Sequence, residues 1–151
     1  LRQIRELKPN ERLPIEIFLL ADPELQVLKS YIERSKCYLL DMDGMIIGGY
    51  LLLPTRPMTV ELVNVAVIEP MQGKGYGKEL VLHAIETARS AGYQTIEVGT
   101  GNSGIGQIAL YQKCGFRICG IDKDFFVRHY SKPIYENGIQ CRDMIRMYQD
   151  L

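Results

Sequence analysis

The chain has 151 residues, with 18 Lys+Arg against 18 Asp+Glu, so its formal net charge is zero. That balance, without a basic stripe, excludes the charge footprint of a nucleic-acid binder, and no apolar run reaches the ~18 residues of a membrane span. The length is that of one domain over 1–151, enough to bury roughly 68–70% of the surface exposed by the unfolded chain.

The apolar run Ile15 to Ala21 is short, is interrupted by Glu16 and lacks a signal-peptide layout. The first residue is Leu1, so an initiator residue or a short lead is expected before it. Four cysteines (Cys37, Cys114, Cys119, Cys141) form no C-x-x-C pair. Their spacing points to neither a zinc site nor a disulfide scaffold, so no metal is expected and a reducing cytoplasm is the simplest setting.

In chain order, Gln3 to Leu7 reads as a first strand. Leu13 to Ala21 and Glu24 to Arg34 read as helices, with Asp22 as the cap and Pro23 at a first helical position. Cys37 to Asp41 and Met45 to Leu53 are apolar strands around Asp43-Gly44, a strong hairpin signal. Val60 to Ile68 is a long strand of largely apolar character. Leu80, Val81, Ala84, Ile85 and Ala88 then recur at helical spacing, and Gly92 stands where a C′ glycine belongs. Thr95 to Val98 is the next strand, Ile105 to Lys113 a helix ending at Gly115, Phe116 to Gly120 a further strand, and Ile139 to Tyr148 the last. An antiparallel front half followed by β-α-β-α-β predicts an α/β sandwich with a mixed central sheet.

Between the strand at Val60 and the helix at Leu80 lies Glu-Pro-Met-Gln-Gly-Lys-Gly-Tyr-Gly-Lys-Glu, residues 69 to 79. A strand, a glycine-rich turn and a helix in that order build an anion site, because backbone N–H groups at the helix start point at the ligand. The nucleotide-binding G-x-x-x-x-G-K-[ST] pattern fails twice, at Gln72 and Glu79, and the dinucleotide pattern G-x-G-x-x-G fails at Lys78. The pattern Q/R-x-x-G-x-G/A is met at every fixed position by Gln72-Gly73-Lys74-Gly75-Tyr76-Gly77. Taken alone, the loop also reads as a plain strand-to-helix turn. A second stretch ends Leu110-Tyr111-Gln112-Lys113-Cys114-Gly115-Phe116, with Glu97-Val98 and Asn102 upstream.

Together these motifs, from about Glu61 to Arg117, resemble the GNAT superfamily of N-acetyltransferases, in a small single-domain bacterial-type form. The resemblance implies a GNAT-type acyl-CoA N-acyltransferase fold: a central mixed, mostly antiparallel sheet flanked by helices. It implies acetyl-CoA as co-substrate, gripped at its pyrophosphate by Gln72, Gly73, Lys74, Gly75, Tyr76 and Gly77. It further implies that Val63 to Val67 splays from Thr95 to Val98, so that pantetheine pairs with the backbone of Val65, Ala66 and Val67. A backbone N–H near Val67 would then face the thioester oxygen, a donor typically worth ~3 kcal/mol. Tyr111 takes the role of proton donor to the departing thiolate and Asn102 a cofactor contact. One departure is the longer connection from Asn102 to Tyr111, which makes Gly104 and Gln107 alternatives for facing the cofactor.

The acceptor is expected to be a primary amine of a small molecule or a peptide. Glu97 is the candidate general base, against the ordinary reading of a solvent-facing strand carboxylate; Glu61 is the reserve. The aromatic segment Phe125 to Tyr130 is a candidate acceptor wall, with His129 left out of the catalytic set and His83 expected to be exposed. Asp22, Glu24, Asp122 and Asp124 are acids that would draw a cationic amine, though scattered surface acids are the ordinary explanation. Cys114 lies near a helix C-terminus, where the dipole disfavours a thiolate, so an acyl-cysteine is rejected. The alternative to an enzyme is a non-catalytic acyl-CoA-binding sensor or assembly module. A homodimer is compatible with either.

Overall fold

The computed structural model describes residues 1–151 as β1 (Arg2–Glu6), α1 (Ile15–Phe18), α2 (Leu25–Ile32), β2 (Lys36–Met42), β3 (Met45–Arg56), β4 (Thr59–Val67), α3 (Tyr76–Ser90), β5 (Thr95–Gly101), α4 (Ile105–Lys113), β6 (Arg117–Asp122), α5 (Phe125–His129), β7 (Ile134–Glu136), β8 (Ile139–Cys141) and β9 (Met144–Asp150). Seven strands form one sheet in the order β1-β2-β3-β4-β5-β9-β6, and β7 and β8 form a separate hairpin. Every pairing is antiparallel except β4 with β5. The mixed, mostly antiparallel sheet is therefore as predicted. No helix is long and apolar enough to cross a membrane.

The sheet separates two apolar cores. On one face α3 and α4 bury Leu80, Val81, Ala84, Ile85, Ala88 and Tyr111 against Val60, Leu62, Ile96 and Val98. Each large aliphatic side chain so buried contributes about 1.5–3 kcal/mol. On the other face α1 and α2 bury Ile17, Phe18, Leu28 and Ile32 against Leu39, Leu51 and Ala66.

Both long helices end in the same way. In α4 the N–H of Gly115 donates to the Gln112 carbonyl (3.0 Å) and that of Phe116 to the Tyr111 carbonyl (3.0 Å), the Schellman pattern. Gly115 adopts φ +99°, which a residue with a Cβ reaches only under strain. The accompanying apolar contact is Tyr111 against Phe116, ring centroids 5.9 Å apart and edge-on. The Tyr-x-x-x-Gly-Phe spacing is thus a helix stop that also orients the tyrosine ring.

Several expectations change. The first helix shrinks to Ile15–Phe18, and Glu24 rather than Asp22 occupies the N-cap of α2. Asp22 instead accepts hydrogen bonds from Tyr31 and Tyr130, which outcompete a helix end for its carboxylate. The single last strand becomes β8 and β9, which belong to different sheets. The break falls where Asn102 binds Gln140, Arg142 and Asp143. His83 is half-buried, with Nδ1 2.8 Å from the Tyr50 hydroxyl, and burial lowers its pKa.

Candidate active site

β4 pairs with β5 only from Thr59 to Leu62, opposite Thr95 to Val98. Beyond that point β4 runs on to Val67 and β5 to Gly101 without pairing to each other. The reason is visible on the other edge of β4. Leu62 faces Leu52 and Asn64 faces Leu51, so Val63 is an extra residue with no partner on β3. Such a bulge bends the strand and reverses which face its side chains take. Val60 and Leu62 belong to the α3 core, whereas Ala66 belongs to the α1 core. The expected splay is present, and its far wall is Gly99 to Gly101 rather than Thr95 to Val98.

The opened edge exposes backbone. The N–H of Ile68 donates to Ile47 on β3 (2.9 Å), so alternation turns the peptide groups of Val67 and Val65 away from β3, toward the gap. Ala66, grouped with them from sequence, turns its backbone into the β3 ladder opposite Gly49 and its side chain into the α1 core. Gln72 Nε2 donates to the Val67 carbonyl (2.9 Å), tying the loop to the strand end.

The loop carries unpaired donors. The N–H groups of Gly73, Lys74 and Gly75 have no partner within the chain. Gly75 is the N-cap of α3 at φ +90°, and open space surrounds the position of a Cβ on Gly73, Gly75 and Gly77. Free N–H groups at a helix N-terminus suit a phosphate, so these residues meet the requirements of a diphosphate-bearing substrate.

A cavity of about 370 Å³ fills the gap. Leu62, Val65, Gly99 and Thr100 line it from the strands, Gln107 and Tyr111 from α4, and Phe126 and Tyr130 from the aromatic segment. Tyr111 is 8% exposed, and its hydroxyl makes no hydrogen bond within the protein. Burial pushes its pKa up to about 12. The phenol therefore stays protonated and available as a donor inside the cavity.

Residues 4–116 match the acetyltransferase (GNAT) family. The chain belongs to the GNAT acetyltransferases. It is 58% identical over 136 residues to the uncharacterised N-acetyltransferase YvbK of Bacillus subtilis (strain 168), which covers 90% of this chain and 88% of that one. A Bacillus subtilis acetyltransferase solved in complex with CoA superposes with a TM-score of 0.93 at 53% identity, over 100% of this chain and 99% of that one. A GNAT family acetyltransferase from Elizabethkingia anophelis, solved with acetyl-CoA bound, gives 0.96 at 40% identity over 99% and 98%. This GNAT protein is accordingly an acetyl-CoA-dependent N-acetyltransferase, with acetyl-CoA as donor and an acceptor substrate.

The other expected site residues of this acetyltransferase fall in different places. Asn102 is taken up by the protein: Oδ1 accepts from the N–H of Arg142 (2.7 Å) and of Asp143 (3.0 Å), and Nδ2 donates to the Gln140 carbonyl (3.1 Å). It pins the β8–β9 break instead of presenting its amide to the gap. Glu97 is ion-paired with Arg56 and accepts from Thr55 Oγ1 (3.4 Å). Its neighbour across the parallel ladder is Glu61, whose carboxyl is raised above its ordinary pKa by burial, opposed by Arg146 (3.9 Å) and reinforced by Glu97. Cys114 is buried, and burial raises its pKa, consistent with a packed thiol. Of the four acids singled out from sequence, Glu24 binds Ser131, Asp122 pairs with Arg146, Asp124 pairs with Arg142, and only Asp22 lines the cavity. Asn64, which sequence reasoning passed over as a strand residue, also lines it. An asparagine in the middle of the aliphatic run Leu-Val-Asn-Val-Ala-Val, residues 62 to 67, was the available signal.

Proposed function

We propose that residues 1–151 form one N-acetyltransferase domain, working in the cytoplasm, that moves acetyl directly from acetyl-CoA to a primary amine of a small molecule or peptide. The observation that carries this reading is the Tyr111 hydroxyl, free of protein partners and standing in a cavity between the split strands. A sensor needs the loop but has no use for an unpaired buried phenol.

In this reading the N–H groups of Gly73 to Gly75, with Gln72 to Gly77 as the loop, hold the diphosphate, and Val65 and Val67 pair with the pantetheine arm. The Val67 N–H faces the thioester oxygen and stabilises the charge that develops there. Glu61 lies just outside the cavity, next to Leu62 of its wall, and takes one proton from the acceptor ammonium through a bridging water. Its raised pKa suits a base, whereas the Glu97 carboxylate is already held by Arg56, which supports Glu61 over Glu97 for that role. The amine nitrogen forms its bond to the acetyl carbon as the carbon–sulfur bond breaks. Tyr111 donates its proton to the departing sulfur, and the second proton lost by nitrogen restores the phenol. A thiol-release assay with acetyl-CoA across small amines and peptides tests the reading; CoA binding with no thiol release for any acceptor would favour the sensor.

A further inference from the structure

Resting on that reading, we propose that Asp22 selects acceptors that carry a second ammonium group, beyond the amine that reacts. The cavity is lined by two charged residues, Asp22 and Glu136, and by no Lys, Arg or His. Asp22 is only 9% exposed. Its oxygens accept from Tyr31 (2.7 Å) and Tyr130 (2.6 Å), both neutral donors, and no cation lies within ion-pair distance. Burial and the neighbouring carboxylate both raise the pKa of these phenols, so they remain hydrogen-bond donors. A carboxylate out of water without a counter-charge is costly, and a bound ammonium relieves that cost.

A second, independent feature points the same way. Asn64 is 4% exposed, its Nδ2 donates to the Phe18 carbonyl (3.0 Å) and to the Tyr31 hydroxyl (3.1 Å), and its Oδ1 is buried with no partner. Buried acceptors are nearly always satisfied, so an orphan in a cavity wall marks the place of a donor. Asn64 and Asp22 are joined through Tyr31, which places an unpaired amide oxygen and an uncompensated carboxylate on one network. An ammonium brings one positive charge and three donors, which answers Asp22 directly and meets the Asn64 amide through the Tyr31 network. Glu136 holds a second negative charge on the exposed β7–β8 hairpin, bonded only to Ser103 Oγ (3.2 Å). The same cavity wall carries Leu20, Phe126 and Ile134, apolar side chains that suit a methylene chain. The acceptor class is an aliphatic diamine or longer polyamine.

The test compares 1,4-diaminobutane with butylamine, and 1,5-diaminopentane with pentylamine, on the full chain. The expected result is a kcat/KM at least about tenfold higher for each diamine, falling to near the monoamine value in Asp22→Asn, as expected for one charge-assisted contact. Calorimetry of 1,4-diaminobutane on the CoA-loaded protein should show the same loss in Asp22→Asn, with CoA affinity unchanged. Glu136→Gln, on an exposed hairpin, should lower diamine affinity by a smaller factor, about threefold at low salt, and it serves if Asp22→Asn does not fold. Equal kcat/KM for diamine and monoamine in the wild type, or a preference that survives in Asp22→Asn, would overturn the proposal while leaving the acetyltransferase reading intact. Thiol release absent for every amine would instead remove the reading of the reaction, and diamine binding that fails by calorimetry would remove the site as well.

Discussion

Leu62 pairs with Val98, and after that pair β4 and β5 go separate ways. The unpartnered Val63 on the opposite edge starts the divergence, and the cavity that results has Tyr111 as its only unbonded phenol on α4. The position of this hydroxyl is the basis of the first prediction.

Tyr111→Phe should lower kcat about a hundredfold, within the range typical of a lost acid–base catalyst. CoA affinity should stay within about twofold of wild type, and the melting temperature should hold, because the ring keeps its edge contact with Phe116. Thiol release, calorimetry and a thermal melt make the comparison. A fall in stability that accounts for the fall in rate would reassign Tyr111 to packing.

Glu61 and Glu97 are neighbours on adjacent strands with different surroundings, and the pH profile separates them. A base must be deprotonated to act, so kcat/KM should rise with pH through the raised pKa of Glu61, and Glu61→Gln should flatten that limb. Glu97→Gln should leave the limb in place. The opposite pattern would return the role to Glu97. A stability change accompanies this. With its folded pKa above the unfolded value, Glu61 binds more protons in the folded state, so its contribution to stability falls as pH rises from the unfolded to the folded pKa. Denaturant titrations should therefore show Glu61→Gln gaining on wild type over that window.

Gly75→Glu should weaken CoA binding on the order of a hundredfold, since it places a carboxylate beside the free N–H groups of Gly73 to Gly75. Gly75→Ala separates charge from conformation. Nothing lies near its Cβ, so the left-handed strain at φ +90°, about 1–2 kcal/mol, is its main effect. Isothermal titration with CoA checks both, and unchanged affinity in Gly75→Glu would sink the loop assignment.

Asn102→Ala should act on stability rather than on the cofactor. It leaves the exposed N–H of Arg142 and the half-buried N–H of Asp143 without their acceptor, a loss of about 0.5–1.5 kcal/mol. For a chain of this size that lowers the melting temperature by roughly 2–4 °C per kcal/mol. A loss of CoA affinity with an unchanged melt would restore Asn102 to the cofactor contacts.

Much of this was readable from local pattern. The Asp43-Gly44 hairpin, α3 with its apolar stripe, and α4 closed by Gly115 follow from short-range rules of turn geometry and helical period, and the structure has them where expected. The loop from Gln72 to Gly77 was legible because a strand-to-helix turn needs particular residues at particular spacings. The break between β8 and β9 was not legible, because it depends on Asn102, about forty residues away, reaching Arg142 and Asp143. Asp22 looked like a cap beside Pro23, and local rules have no means to see that Tyr31 and Tyr130 would claim its carboxylate.

The amino-acid order was therefore sufficient for most of the elements, the family motifs and the donor substrate, which rest largely on patterns among near neighbours in the chain. Which carboxylate is free, which amide is occupied and where the acceptor's charge is met depended on the folded molecule. A bulge at Val63 turns Asn64 toward α2, and Arg56 reaches across to Glu97, through contacts that exist only once β3, β4 and β5 lie side by side. Proton affinity and hydrogen-bonding capacity are properties of a side chain's surroundings, and those surroundings are assembled from distant segments.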